Sequence, residues 1–257
     1  MQKRVKLSVI KENQINAVYG FILNLNPLTI QCEQADNFKE KSIIIFPETV
    51  DNNREIHILK VKNTADNTVV FERVKRIDDI FFKNHYIEFS HIFSIAEVDS
   101  HNELKYKALA ANINRQELNS TASRLKEVVS RDEVENREII TFLIDINSKL
   151  DEILHLLKPK ENIEGAEEYL SLILSEEGII FACKKEILCS KIFAYTTIRD
   201  SGGFFSFASL CSVEKLMDSG EYIIYKGMFT DLSLDAQDKI IKYIFRLERE
   251  MLKEANK

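Results

Sequence analysis

The rhythm of hydrophobic and polar positions changes twice along this chain. Up to about Ser100, short runs rich in Ile, Val and Phe alternate with polar breaks such as Asn26-Pro27, Asp51-Asn52-Asn53 and Asp66-Asn67. β-branched and aromatic residues bounded by turn formers predict strands. The candidates are Arg4 to Ile10, Ala17 to Leu25, Leu28 to Cys32, Ser42 to Phe46, Glu55 to Val61, Val69 to Val74 and Tyr86 to Val98. Alternation is plainest from Glu55 to Lys62, where Ile56, Ile58 and Lys60 share one face. An N-terminal β domain over 1–100, a small antiparallel barrel or sandwich, is the expectation.

From about Asn102 the punctuation stops: no Gly or Pro lies between Pro47 and Pro159. A stripe spaced by fours and threes runs through Leu118, Ala122, Leu125, Val129, Asp132, Asn136, Ile139, Leu143, Ile146, Leu150, Ile153 and Leu157. That is a heptad pattern, and it predicts a long coiled-coil helix within 102–158. With the step of four running from d to a, Ile139, Ile146 and Ile153 stand at d and Leu143, Leu150 and Leu157 at a. Leu at a with Ile at d disfavours two strands and shifts the preference toward trimers or tetramers. Ile140 and Leu154 at e, with Phe142 and Leu156 at g, widen the apolar face and favour four strands. Asn136 at a breaks the stripe where it could fix register or mark a bend. Packing within one chain is the alternative to self-association.

The helix is expected to end at Lys158-Pro159-Lys160. Strands resume at Tyr169 to Leu174, Gly178 to Cys183, Lys191 to Ile198, Phe204 to Leu216 and Glu221 to Phe229, with Asp218-Ser219-Gly220 as a hairpin. Ser233 is the expected N-cap of a closing helix that buries Ile240, Ile241, Ile244 and Leu247. Five strands and a capping helix over 160–257 describe a second small barrel, so the fold class is α+β.

The segment Leu172-Ile173-Leu174-Ser175-Glu176-Glu177-Gly178-Ile179-Ile180-Phe181 resembles the strand-turn-strand of PilZ domains, whose pattern is Asp or Asn, any residue, Ser, two more, then Gly. Gly227 to Ser233 and Asp238 to Glu250 are similar to the family's last strand and helix. The resemblance covers roughly 160–257. It implies a six-stranded-type β-barrel with a C-terminal helix, bacterial signalling in motility or biofilm regulation, and a receptor site for cyclic di-GMP. That site consists of the turn and an upstream Arg-x-x-x-Arg pair. Paired guanidinium groups suit phosphates and stack on guanine, while an acidic or amide side chain and a serine bond the base edge.

This chain departs from both parts. Ile173 stands where the Asp or Asn belongs, and no arginine lies between Arg137 and Arg199. Only Ser175 and Gly178 match, so Ile173, Ser175 and Gly178 form a degenerate remnant of the ligand turn. Heptads joined to a degenerate PilZ domain also resemble a subgroup that forms tetramers without binding the ligand. The N-terminal β domain resembles the accessory barrel of flagellar-brake proteins.

Composition sets the frame for these readings. Hydrophobic residues at 45% and charged residues at 30% describe a globular chain with its own core. The longest apolar runs, such as Ser42 to Phe46, fall far short of the roughly 20 residues a membrane helix needs. Met1 to Lys6 leads into no apolar signal region, and a cytoplasmic location is expected. Residues 161–257 carry 12 basic and 17 acidic side chains, a balance that disfavours nucleic acid. Cys32, Cys183, Cys189 and Cys211 fit no metal spacing, and His57, His85, His91, His101 and His155 lack partners at ligand or catalytic spacing. The expectation is therefore a non-enzymatic adaptor or scaffold that self-assembles, as a tetramer before a trimer, and contacts a protein partner without a cofactor or metal. The alternative is a cyclic di-GMP receptor that uses Lys149, Lys158, Lys160 or Arg199 instead of the missing arginines.

Overall fold

A computed structural model describes residues 4–11, 14–32, 35, 38, 42–50, 53–77, 86–118, 163–200 and 203–255, with helical positions 139, 142, 143, 146, 149, 150 and 153 between them. The first six strands are β1 (Arg4–Lys11), β2 (Gln14–Leu25), β3 (Leu28–Gln31), β4 (Ile43–Val50), β5 (Asn53–Ala65) and β6 (Thr68–Arg76). They close a barrel in the order β1-β2-β3-β6-β5-β4. The expected turn at Asp66-Asn67 joins β5 to β6, with Asp66 in the left-handed region at φ 50°. Asp tolerates that conformation because its short side chain bonds locally. Leu7, Ile30, Phe46, Leu59, Val69 and Phe71 fill the interior.

Six further strands, β7 (Tyr86–Val98), β8 (Ala166–Ser175), β9 (Gly178–Cys183), β10 (Lys191–Asp200), β11 (Gly203–Asp218) and β12 (Ile223–Phe229), close a second barrel in the order β10-β11-β12-β9-β8-β7. β7 therefore differs from the expectation that grouped it with the N-terminal β domain. It pairs with β10 from Ser94 to Val98, and it supplies the sixth stave that the five strands read after residue 160 lacked. Sequence proximity to β6 concealed this, because β7 and β8 are separated by the helical region. By compactness, one unit comprises Met1–His91, Tyr169–Glu186 and Glu214–Gly227, and another Ile92–Glu168, Ile187–Val213 and Met228–Lys257.

Helix α1 (Glu103–Leu118) follows β7. Asp99 Oδ1 accepts the N–H groups of His101 and Asn102, and the Asn102 carbonyl accepts the first helical bond, from Tyr106. These bonds start the helix. Tyr106, Ala110 and Ile113, spaced by four and three, are buried with Phe193, Ala208 and Leu210. The Tyr106 ring stacks on Phe193 at 5.0 Å, and its hydroxyl donates to the Glu164 carbonyl at 2.8 Å. The Asn114 amide donates to the Ala208 carbonyl at 2.9 Å and accepts the Ala208 N–H at 3.0 Å.

The closing helix, α2 (Leu234–Ala255), begins as expected. Ser233 Oγ accepts the Ala236 N–H at 3.3 Å. Its buried face is Ala236, Ile240, Tyr243 and Ile244, whereas Ile241 and Leu247 are half-buried. The long central helix of the expectation is not shown: the described helix there is α1, and the helical positions from 139 to 153 are described one by one.

Candidate functional site

The β8–β9 hairpin carries the turn that the sequence reading takes as a ligand-turn remnant. Leu170 to Leu174 and Ile179 to Phe181 are apolar in nearly unbroken runs, the pattern of a strand covered on both sides. Every residue from Leu170 to Ser175 and from Gly178 to Cys183 is buried. The register pairs Leu174 with Ile179 and Ile173 with Ile180, with a bulge between Ser171 and Ile173. Ser171 Oγ lies 3.3 Å from the Ile173 carbonyl and 3.4 Å from that of Ile180, so the bulge region keeps a donor for its carbonyls.

Ile173, Ser175 and Gly178 stand together on β8 and β9, and Ile173 and Ser175 have structural occupations. Ile173 is 0% exposed and its side chain offers no donor or acceptor. Ser175 is also buried, and its Oγ accepts the Glu177 N–H at 3.2 Å, which closes the two-residue turn Glu176-Glu177. Gly178 is not among the positive-φ glycines, which are Gly165 and Gly220 among the described residues. Glu176 and Glu177 place two carboxylates at the tip, and Glu177 Oε2 is buried without a hydrogen-bond partner among the described residues. An anionic phosphate approaching this turn meets like charge. Of the substitute cations, Lys149 is helical and exposed, and Arg199 lies over the Phe204 ring at 5.9 Å. Lys158 and Lys160 lie outside the described residues.

A second feature is the heptad stripe. Ile139, Leu143, Ile146, Leu150 and Ile153 are helical, and their exposures run from 39 to 58%. Phe142, at g, is exposed as well. Five a and d positions in succession therefore stand in solvent in the single chain. Asn136 and Leu157, the outer members of the predicted set, lie outside the described residues.

Among the described residues, no group of three or more His, Cys, Asp or Glu is arranged to hold a metal ion, and no helix is long and apolar enough to cross a membrane. Cys32, Cys183 and Cys211 are buried thiols and Cys189 is half-buried. Sequence reading missed the outer surface of β2, where Tyr19, Phe21 and Leu23 are exposed at alternate positions. From Ala17 to Leu23 the strand is apolar or Gly at every position, so the sequence does not say which face is inward.

No family model matches the sequence, and no curated protein matches it. Solved structures similar to the chain include the inhibitor of motility MotI (DgrA) of Bacillus subtilis, at 9% identity and TM-score 0.35, covering 96% of this chain and 97% of that one. A tetrameric PilZ domain of Xanthomonas campestris, self-assembled through a helical bundle, is similar at 16% identity and TM-score 0.41, covering 69% and 92%. YcgR of Escherichia coli, in complex with c-di-GMP, is similar at 12% identity and TM-score 0.31, covering 98% and 87%.

Proposed function

We propose that this chain is a non-enzymatic signalling scaffold of the PilZ type. It assembles through the helical stripe, as a tetramer before a trimer, and holds a protein partner without tight binding of cyclic di-GMP. One observation carries the reading: Ile173, which the resemblance puts at the base-reading position, is wholly buried, and Ser175 Oγ accepts the Glu177 N–H within the turn. A buried aliphatic side chain can neither donate to nor accept from a guanine edge. The exposed a and d positions support the assembly half, because monomeric proteins rarely leave such a row of large apolar residues in water.

Titration of the full chain with cyclic di-GMP in a calorimeter at low salt tests the ligand half. Screening is weakest there, so even weak electrostatic binding has its best chance. No heat is the expected result, and micromolar or tighter binding would overturn it. The alternative receptor reading then gains support if Lys149→Ala with Arg199→Ala abolishes that binding. Sedimentation equilibrium tests the assembly half: a mass of four chains is expected, with dissociation in Ile146→Asp. A monomer at micromolar concentration would sink it.

A further inference from the structure

The outer face of β2 carries a line of large apolar side chains. Tyr19 is 54%, Phe21 43% and Leu23 45% exposed, whereas Val18, on the opposite face, is 3%. The inward position between Tyr19 and Phe21 is Gly20, where a Cβ would come within 2.6 Å of Ile30 Cγ2 and 2.7 Å of the Gln31 carbonyl oxygen. Neighbouring β3 leaves no room for an inward side chain at this position.

Both edges of β2 are already paired, with β1 and with β3, so an incoming strand cannot add to it and only the face is free. Across the ladder Arg4 stands opposite Phe21 and Lys6 opposite Tyr19, while on the other side Gln31 faces Phe21. Arg4 lies over the Tyr19 ring at 5.1 Å. Among the described residues, Arg4 and Lys6 have no ion-pair partner and no carboxylate stands at these cross-strand positions. An apolar line with unanswered positive charge on its flank is thus set into a chain whose net charge is -6.

We propose that this face docks an acidic amphipathic helix of a partner protein, with its apolar residues along Tyr19, Phe21 and Leu23 and its carboxylates toward Arg4 and Lys6. From Tyr19 to Leu23 the line runs about 13 Å at the rise of a strand, the length of roughly two and a half helical turns. A second copy docking through the same face would bring Arg4 and Lys6 against their own equivalents. An anionic membrane asks for clusters of about 4–8 cations, where this face offers Arg4 and Lys6 on an acidic chain.

The test uses the full chain and a fluorescein-labelled synthetic peptide about three helical turns long, with leucines at three- and four-residue spacing and glutamates on the flanks. A second peptide carries lysines in place of the glutamates. Fluorescence anisotropy at low salt is expected to show the acidic peptide bound at least roughly tenfold more tightly than the basic one. Arg4→Glu with Lys6→Glu should reverse that preference. Phe21→Ser with Leu23→Ser, both at exposed positions, should abolish binding, and Leu188→Ser, at a position 85% exposed, should leave it unchanged. Four outcomes would each overturn the proposal: equal binding of the two peptides, binding that survives Phe21→Ser with Leu23→Ser, binding only to phosphatidylserine vesicles, or a change of oligomer mass in that variant. None of them bears on the cyclic di-GMP titration.

Discussion

Ala208 receives from an asparagine side chain what a neighbouring strand usually provides. Asn114 satisfies both its N–H and its carbonyl, in a buried place where an unmade bond costs about 1–3 kcal/mol per group. Asn114→Leu is therefore expected to lower stability by about 2–4 kcal/mol, read as a fall in the denaturant midpoint at unchanged slope. Burial acts in the opposite sense on Cys211, whose thiol is pushed far above its ordinary range and stays neutral and unreactive while the barrel is folded. Some of these roles were legible in the sequence. Ser233 reads as a cap from its place before an apolar-periodic run, and the local bond is present. Asn114 could not be read, because an asparagine inside a helix announces no particular partner.

At the scale of elements, the strands were legible because each alternates or runs apolar between turn formers, and the β11–β12 hairpin at Asp218-Ser219-Gly220 is an instance. Gly220 sits at φ 80° and the Asp218 carboxylate accepts its N–H at 2.8 Å, so both residue types suit the turn. What eluded reading was partnership at a distance, as with β7, and facing, as with β2. The β8–β9 hairpin gives a direct test of the proposed loss of the ligand turn. Ile173→Asp supplies the residue type that the proposed PilZ reading asks for at this position, but it buries a carboxylate in an apolar strand. Loss of at least about 3 kcal/mol is expected, without gain of cyclic di-GMP binding, by chemical unfolding and calorimetry. A stable variant that binds the nucleotide would mean the site is only one residue from function. The start of α1 responds to pH. Lys191 and Lys107, at 2.9 and 3.5 Å, hold the Glu103 carboxyl below its ordinary range. A depressed folded value contributes stability above the unfolded value, and that contribution is lost as pH falls through the folded one. The melting temperature should fall on acidification below about pH 4.5, and less steeply in Glu103→Gln, measured by scanning calorimetry across pH 7 to 3.

For the whole molecule, the decisive fact is that β7 and β8 are neighbours in the second barrel although residues 99–165 lie between them. A fragment beginning at residue 160, where composition invites a boundary, would lack a stave, and it is expected to expose an open edge and aggregate. The return path is short. Tyr106 bonds Glu164, and α1 continues twelve residues to Leu118, about 18 Å at helical rise. A linker of ten Gly and Ser residues, able to span about 33 Å, can therefore replace 119–162. The shortened protein is expected to melt within a few degrees of the parent and to sediment as a monomer, whereas loss of the melting transition would show that the excursion is part of the barrel's foundation. Topologically the excursion is a parenthesis: the chain leaves the barrel at one stave and re-enters at the next, and the order of staves is the same with it or without it. On the assembly proposed above, a lineage that lengthens, shortens or discards the parenthesis changes how many copies stand together, while the order of staves passes unaltered from one design to the next.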